Sequence, residues 1–521
     1  MSKVILFGTD ARKKLKEGID IVANAVKVTM GYGGRTVIIS NKGQEVRSTM
    51  DGVSVADEVE LKDDIVNAGA KMTRELSKQM GDTIGDGTST VTLIFQEIVS
   101  LGLTLIESGA NPIQIKKGME KAVKCIVEHL DKIKIDVTDN GEKLKQVALV
   151  SSHNDQEVAD IVGDVFSKIG RYGIVSVEDS PDEKTTIELI NGFQWDSGFY
   201  HDYLVNNEKG TCELNNPLVL LVDDKITNVV HIEPIMQKVA ISKRALIIIA
   251  DDFDNTVVAT LHRNKSVFDA CCVRWNYIGE TKQELMSDLV ALTGATLITE
   301  KKGRKIDKIT IDDLGECEKS ICTKTDTTIL GGRKNQKELE KRIEDAKIKL
   351  EEAKNPFLKQ RAERRLSKLS GSIAICKVGA MTEVERKEKK DRVDDAIRAT
   401  KAAIEEGIVA GGGVALLRCV PELLKLKGDT PYEDSGITLV ASAIMKPCYQ
   451  INQNASGKGE LIVEKLIDET GNIGWNVVTD KKEDLVASGI IDPKKVVRAG
   501  IENAVSAAAQ VIISEALIIE E

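Results

Sequence analysis

The densest group of chemically capable residues is Gly85-Asp86-Gly87-Thr88-Ser89-Thr90, set directly before a stretch of helical pattern that begins near Thr88. Its glycines allow positive φ and a close backbone approach to a ligand, three hydroxyls follow, and a helix start offers unpaired N–H groups to an anion. These are the parts of a phosphate cradle. Asp86 alone would repel phosphate, so its place inside the loop makes sense if it holds Mg2+ against phosphate oxygens. A Gly-Asp turn with Thr and Ser caps uses the same residues and stays open as the alternative. Further glycine clusters stand at Gly31-Tyr32-Gly33-Gly34, at Met50-Asp51-Gly52, where a tight turn bears a carboxylate, and at Gly411-Gly412-Gly413 ahead of a helix. Ser456-Gly457-Lys458-Gly459 lacks the upstream glycine and the hydroxyl residue after lysine that a P-loop needs. No strand-GxGxxG-helix unit supports a dinucleotide fold. The five histidines lie far apart without HExxH spacing, so a protein-ligated zinc site is not expected.

The elements that would carry these residues are mostly helices at both ends of the chain. Leu15, Ile19, Val22, Val26 and Met30 predict a helix over 9–30, capped by Thr9 and stopped by Gly31. A strand at 36–40, a turn at Asn41 to Gly43 and a second extended piece ending at Asp51-Gly52 follow. From Thr88 to Ser108 a helix turns Val91, Ile94, Ile98, Leu101 and Leu105 inward until Asn111-Pro112 breaks the pattern. Between about 190 and 330, apolar runs at 217–222, 245–250 and 295–299 alternate with helical patterns at 229–241 and 284–292, which is α/β grammar. Residues 335–370 read as two charged helices split at Asn355-Pro356 and packed as a hairpin, with Leu339, Ile343, Ala346 and Leu350 on one stripe and Ala362, Leu366 and Leu369 on the other. After residue 400 long helices return, through the apolar stretch 504–519. Helical ends around an α/β middle suggest one domain interrupted by an insertion.

Composition narrows the function. At about 150 residues per domain, 521 residues are too many for a single core. With 42 % apolar but only 3 % aromatic residues, the cores must be filled by Val, Ile, Leu and Ala, which suits closely packed helices. The 72 Lys and Arg are interleaved with 82 Asp and Glu for a net charge of −10, which leaves no basic footprint for nucleic acid. Nine cysteines without a CxxC pair argue for reduced thiols in a cytoplasmic compartment. Val4 to Phe7 is too short for a signal-peptide core, and no apolar run approaches the roughly 18 residues of a membrane span. The expectation is a soluble chain with no nucleic-acid or membrane partner.

Six segments resemble, in order, the signatures of group I chaperonins, the GroEL family: 26–39 (VKVTMGYGGRTVII), 50–61 (MDGVSVADEVEL), 85–92 (GDGTSTVT), 392–418 (RVDDAIRATKAAIEEGIVAGGGVALLR), 474–479 (GWNVVT) and 489–498 (GIIDPKKVVR). The closing hairpin of the middle segment also resembles group I rather than group II. The resemblance covers nearly the whole chain and fits a divergent bacterial or bacteriophage-like member. It implies a multidomain α and α/β fold: an equatorial ATPase domain from 1–132 and 406–521, a hinge-like intermediate domain from 133–189 and 374–405, and an inserted α/β apical domain at 190–373. It further implies a homo-oligomeric, heptameric ring that encapsulates non-native polypeptides under a GroES-like lid, with ATP, Mg2+ and K+ as cofactors, in the cytoplasm of a bacterium or of a phage host.

Carried onto matching positions, the nucleotide site would comprise Thr29, Met30, Gly31, Asp86, Gly87, Thr88, Ser89, Thr90, Gly412, Asn476, Val477, Val478, Ile490 and Asp492. Asp86 would ligate Mg2+, Asp51 would sit beside the γ-phosphate, and Asp395 would arrive from the intermediate domain to orient the attacking water. Read without the resemblance, Asp395 is an ordinary charge on a solvated helix face. Phe199, Tyr203, Leu204, Met236 and Val258 match the apical groove that captures unfolded chains, with local core packing of the apolar residues as the alternative.

The departures are specific. Tyr32-Gly33 replaces a usual Pro-Lys, Met50 a lysine, and Val477 and Val478 smaller residues, while Glu233, His262 and Arg263 stand at aliphatic groove positions. Ser197 replaces an arginine that pairs between subunits with the glutamate matching Glu383, and Tyr449 and Lys458 replace an Arg-Glu pair that joins two rings. These substitutions keep a rival reading in view, a holdase or binding scaffold on the same fold with weak or lost hydrolysis.

Overall fold

A computed structural model describes residues 3–520 apart from 41–45, 138–139, 153–154, 170–173, 181, 208–209, 300–302, 305, 333–335, 354, 356–357, 359–360, 363–364, 367 and 370–371. The chain forms two compact units: Met1–Arg171 with Met381–Glu521, and Tyr172–Ala380.

The first unit is a helical body whose closeness comes from small residues. Helices Gly8–Val26 and Asp64–Thr83 pack at Gly18 and Gly69, where an added Cβ would lie 2.0 Å from the carbonyl oxygens of Val66 and Leu15 respectively. Gly118 and Gly436 repeat the device between helices Pro112–Ile133 and Pro431–Ala443. At these crossings backbone meets backbone, and any side chain would force the helices apart. Helices Thr88–Glu107 and Lys494–Ile513 run through the core, the first burying Val91, Ile94, Phe95 and Ile98 and the second Ile501, Ala504, Ala508 and Ile512. Both are long and apolar enough to span a membrane by composition, a property the run-length reading missed because scattered polar residues interrupt them. Half or more of each apolar window is buried inside the protein.

Two expectations at the chain ends change. The last apolar stretch is not all helix: it stops at Ile513, and Ala516–Glu520 forms an antiparallel ribbon with Lys3–Phe7, Val4 opposite Ile519 and Ile5 opposite Ile518. Arg12 anchors the turn through the Ser514 carbonyl at 2.8 Å and the Glu515 carboxylate at 3.0 Å. The first helix begins at Gly8, with Phe7 rather than Thr9 as its N-cap, and gives way at Lys27–Thr29 to a 3-10 turn. Strands Val37–Ile39 and Arg47–Thr49 pair antiparallel, while the turn at Asn41 to Gly43 lies outside the described residues. The second strand ends at Thr49 because Asp51 caps helix Gly52–Asp57, its carboxylate accepting from the N–H groups of Val53 (3.2 Å) and Ser54 (2.9 Å).

The second unit is α/β, as its alternation predicts. Parallel strands run in the order Ala270–Arg274, Leu246–Ala250, Leu218–Val222, Leu297–Ile298, with Gly315–Glu316 antiparallel beside Leu218–Val222. Val219, Leu221, Ile247 and Ile249 face one core, around Trp195, and Leu218, Leu220, Leu246 and Ile248 face another, so the central strands read as continuous apolar runs. A six-stranded mixed sheet, unforeseen in the sequence, joins Ile174–Asp179, Ser372–Val378, Thr186–Trp195, Thr327–Leu330, Lys319–Cys322 and Cys212–Asn215. Helix Gln336–Glu351 lays Leu339, Ile343 and Ala346 on the Trp195 core, where Leu366 and Leu369 also pack. Pro356, the expected break, lies outside the described residues. The charged residues nearby have a defined job: buried Asp288 is held by Arg365 at 2.8 and 2.9 Å and by Arg342 at 3.2 Å.

Candidate functional site

The site residues that carry phosphate chemistry gather within the first unit. Gly85 and Gly87 adopt φ of 87° and 80°, and Gly87 is the N-cap of helix Thr88–Glu107. A glycine cap offers no side-chain acceptor, so the first-turn N–H groups at Thr88, Ser89 and Thr90 remain for an external anion. Asp86 accepts from the Gly87 N–H at 2.5 Å and from the Ser151 hydroxyl at 3.2 Å. The Asp51 turn lies directly against this loop, since a Cβ on Gly52 would come 2.4 Å from Ser89 Oγ and 3.0 Å from Thr88 Oγ1. Thr29 approaches from the other side with its hydroxyl 3.5 Å from that of Ser89. Met30 is buried and Gly31, at φ 77°, leaves the segment against Ile451. Asn454, which the sequence did not single out, holds that segment by donating to the carbonyls of Lys27 and Met30, both at 2.9 Å.

A second group of the expected residues surrounds strand Ile408–Ala410. This strand pairs antiparallel with Ile491–Pro493, so that Val409 stands opposite Asp492, and the Gly411 N–H donates to the Ile490 carbonyl at 3.0 Å. Asn476 ends strand Ile473–Asn476, its amide oxygen accepting from the Val478 N–H at 2.9 Å and its amide nitrogen donating to Glu483 at 2.5 Å. Val477 is partly buried, whereas Val478 is exposed. Fully buried Leu485 bridges the two loops: its Cδ1 lies 3.6 Å from a Cβ built on Gly412 and 2.4 Å from one built on Gly474. Nothing in the local pattern marks Leu485, because its importance comes from two loops distant in sequence.

The electrostatics tie the groups together. Helix Glu383–Glu406 brings in Asp395, whose carboxyl is pushed up to about 8 by burial, then by the charges of Asp86 and Asp51, with Arg398 opposing them. Burial, followed by the charge of Asp86, pushes Asp492 up to about 7. Asp395 therefore feels the charge of other carboxylates, unlike a solvated helix charge. Among the described residues no group of three His, Cys, Asp or Glu side chains has the arrangement to hold a metal ion by itself. Asp86 nonetheless fits Mg2+, which typically takes one or two carboxylates and completes its shell with phosphate oxygens and water. The crowded carboxylates are what an added cation would relieve.

The raised Asp492 has a testable consequence for stability. A carboxyl whose folded pKa lies above its unfolded value near 3.8 favours the folded state fully below about pH 4, and that contribution is lost as pH rises through about 7. In protein freed of metal and nucleotide, Asp492→Asn is expected to raise the melting temperature at pH 8 and leave it unchanged at pH 4. An equal shift at both pH values would contradict the assignment.

The positions expected to capture unfolded chains divide differently in the second unit. Tyr203 is 59 % exposed, its ring 4.1 Å from that of His201 and 5.4 Å from that of His262. Phe199, Leu204, Met236 and Val258 are buried core residues, so of the five matching positions Tyr203 alone is exposed. The physical reason is amphipathic packing: helix Glu233–Ser242 spends Ile235, Met236 and Val239 on the sheet, and helix Asn255–Arg263 spends Val257, Val258 and Leu261. Their exposed faces present Glu233, Gln237, Lys238, His262 and Arg263, with Ile241 the exposed apolar side chain on the first helix.

The assembly positions are buried or engaged within the chain. Ser197 is fully buried and its carbonyl accepts from the Thr327 hydroxyl at 2.5 Å. Lys458 pairs with Asp480 at 3.5 Å, and the Lys446 ammonium lies 5.2 Å from the centre of the Tyr449 ring.

Comparison with known proteins agrees with this architecture. Residues 22–521 match the TCP-1/cpn60 chaperonin family. The chaperonin gp146 from the bacteriophage EL 2 (Pseudomonas aeruginosa), crystallised in the presence of ATP-BeFx, shares the fold over 99 % of both chains at 19 % identity, with a TM-score of 0.76 in one crystal form and 0.68 in another. The family expected from the six motifs is the family matched over nearly the whole length, and the chain belongs to the TCP-1/cpn60 chaperonin family.

Proposed function

We propose that this chaperonin is a group I member that binds non-native polypeptides in a ring cavity and couples their encapsulation to ATP binding and hydrolysis, ATP and water giving ADP and phosphate. The observation that carries the reading is that helix Glu383–Glu406, which bears Asp395, rests Arg398 on Gly85 of the phosphate loop beside the open N-terminus of helix Thr88–Glu107. Phosphoryl transfer depends on positioning and charge compensation more than on covalent help: the helix N-terminus offers both to an anion, and the carboxylates would offer positioning and a hold on a cation. The first-turn N–H groups would bind phosphate oxygens, Asp395 would orient a water, and Asp86 would hold Mg2+, whose charge neutralises phosphate. Gly412, Ile490, Asp492 and the Asn476–Val478 loop would receive the base and ribose. K+ enters only through the family resemblance. The domain reading likewise remains part of the proposal, with 1–132 and 406–521 equatorial, 133–189 and 374–405 intermediate, and 190–373 apical. The nine free cysteines support a reducing, cytoplasmic setting.

Phosphate release by the purified chain, with Mg2+ and then with excess chelator, tests the hydrolytic half. Refolding of a chemically denatured client with ATP, compared with no nucleotide, tests the coupling. A metal-dependent rate together with ATP-dependent refolding is expected. Client binding without measurable hydrolysis would replace the reading with that of a holdase, which the loss of cationic side chains at Gly33 and Met50 favours.

The polar faces of the two helices lead to a prediction about clients. Replacing His262 and Arg263 together by Val is expected to tighten capture about fivefold, for roughly 1 kcal/mol of added apolar contact. Unchanged affinity in a fluorescence titration with an unfolded client would place the capture surface elsewhere.

Assembly carries its own expectation. Ser197 cannot pair with the glutamate matching Glu383, and Lys458 and Tyr449 are already engaged within the chain. A surface pair contributes about 0 to 1 kcal/mol, but a ring repeats its loss in every subunit. Single rings, or a nucleotide-dependent mixture of single and double rings, are expected by mass measurement. Double rings that persist through ATP turnover at high salt would contradict this.

A further inference from the structure

Arg398 follows Asp395 by three residues on helix Glu383–Glu406, so the two side chains share a face of the helix. Its Nη1 donates to the Gly81 carbonyl at 2.9 Å. Gly81 lies in the last turn of helix Asp64–Thr83, where carbonyls lack intrahelical partners and the helix dipole favours a cation. The aliphatic stem of the same arginine lies on the phosphate-loop glycine: a Cβ on Gly85 would come 2.2 Å from Arg398 Cδ and 2.4 Å from its Cβ. Arg398 thus ties one helix to two others, touching the end of Asp64–Thr83 with its head and the loop before Thr88–Glu107 with its stem. Its charge also acts on Asp395, opposing the repulsion from Asp86 and Asp51.

We propose that Arg398 is a positioning residue of the hydrolytic site, a latch that holds helix Glu383–Glu406 against Gly81 and Gly85 and so keeps Asp395 beside Asp86. The role rests on the ATPase reading above for its effect on turnover, while the latch itself is a property of the fold. A guanidinium suits the task because one donor satisfies the carbonyl while the long stem covers the glycine without a polar atom facing it. Lysine reaches the same carbonyl with a single donor and retains the charge, whereas alanine removes both.

The test uses the full-length chain in three forms: unaltered, Arg398→Ala and Arg398→Lys. Steady-state kinetics are expected to show kcat lowered about tenfold or more in R398A, with KM for ATP changed less than threefold, and most of the rate restored in R398K. Hydrogen exchange of the backbone amides at 395–403, read without nucleotide, is expected to quicken in R398A and return toward the unaltered rate in R398K. Unchanged kcat in R398A, an equal loss of rate and of nucleotide affinity, or exchange that is the same in all three forms would overturn the assignment. If the unaltered chain hydrolyses no ATP, the proposed ATPase fails, and the exchange measurement still decides whether the latch exists.

Discussion

Asp395→Ala is expected to bind ATP with an affinity within a few fold of the unaltered chain and to hydrolyse it at least about 100-fold more slowly, a loss of roughly 2.7 kcal/mol of transition-state stabilisation. The separation follows from where the carboxylate comes from. The phosphate loop, the Asp51 turn and the Gly412 loop are built from other segments, and their hydrogen bonds among the described residues do not involve the Asp395 side chain. Asp395 is carried on helix Glu383–Glu406 and meets the site as a crowded carboxylate, pushed up to about 8 by burial and by its acidic neighbours. Removing it also removes an unfavourable buried charge, so the variant should fold at least as well above pH 8. Single-turnover phosphate release, set beside equilibrium binding of a fluorescent ATP analogue, checks the prediction. Equal losses in binding and hydrolysis would assign Asp395 a structural role.

Asp86→Asn is expected to lower hydrolysis by a similar factor, at least roughly 100-fold, through loss of the charge that holds Mg2+. The substitution keeps the side-chain size and an acceptor for the Gly87 N–H, so the loop before helix Thr88–Glu107 should retain its shape. Its signature differs from that of Asp395→Ala. Raising Mg2+ should recover part of the lost rate in D86N and none in D395A. The charge of Asp86 is also a cause of the raised pKa of both Asp395 and Asp492, so D86N should bring both carboxyls down toward their usual range. Carboxyl titration followed by NMR reads that shift, and near-normal turnover would remove Asp86 from the role of metal ligand.

Much of this site could be read locally. Gly85 to Thr90 describe their own geometry, because two glycines before a run of hydroxyl residues dictate a left-handed turn into a helix start whatever surrounds them. The Asp51 turn is likewise local, since an Asp before Gly52 caps a helix through its own neighbouring amides. Residues whose role depends on a distant partner were invisible. Asn454 matters because it reaches Lys27 and Met30, Leu485 because it lies between Gly412 and Gly474, and Arg398 because it reaches Gly81. None of these separations leaves a periodic mark.

The same division runs through the fold. Helical stripes, the apolar strands of the second unit and the family motifs were determined by the sequence alone, since periodicity records which face of a segment must be buried. Only the tertiary structure decided what each face is buried against. It joined Lys3–Phe7 to Ala516–Glu520 across the length of the chain, and assembled a six-stranded sheet from segments spanning 174 to 378. It turned Phe199, Leu204, Met236 and Val258 inward while leaving Tyr203 outside, although all five look alike as apolar or aromatic residues at matching positions. Strand pairing and core choice are settled by long-range contacts, whose energies depend on partners that no local window of sequence contains.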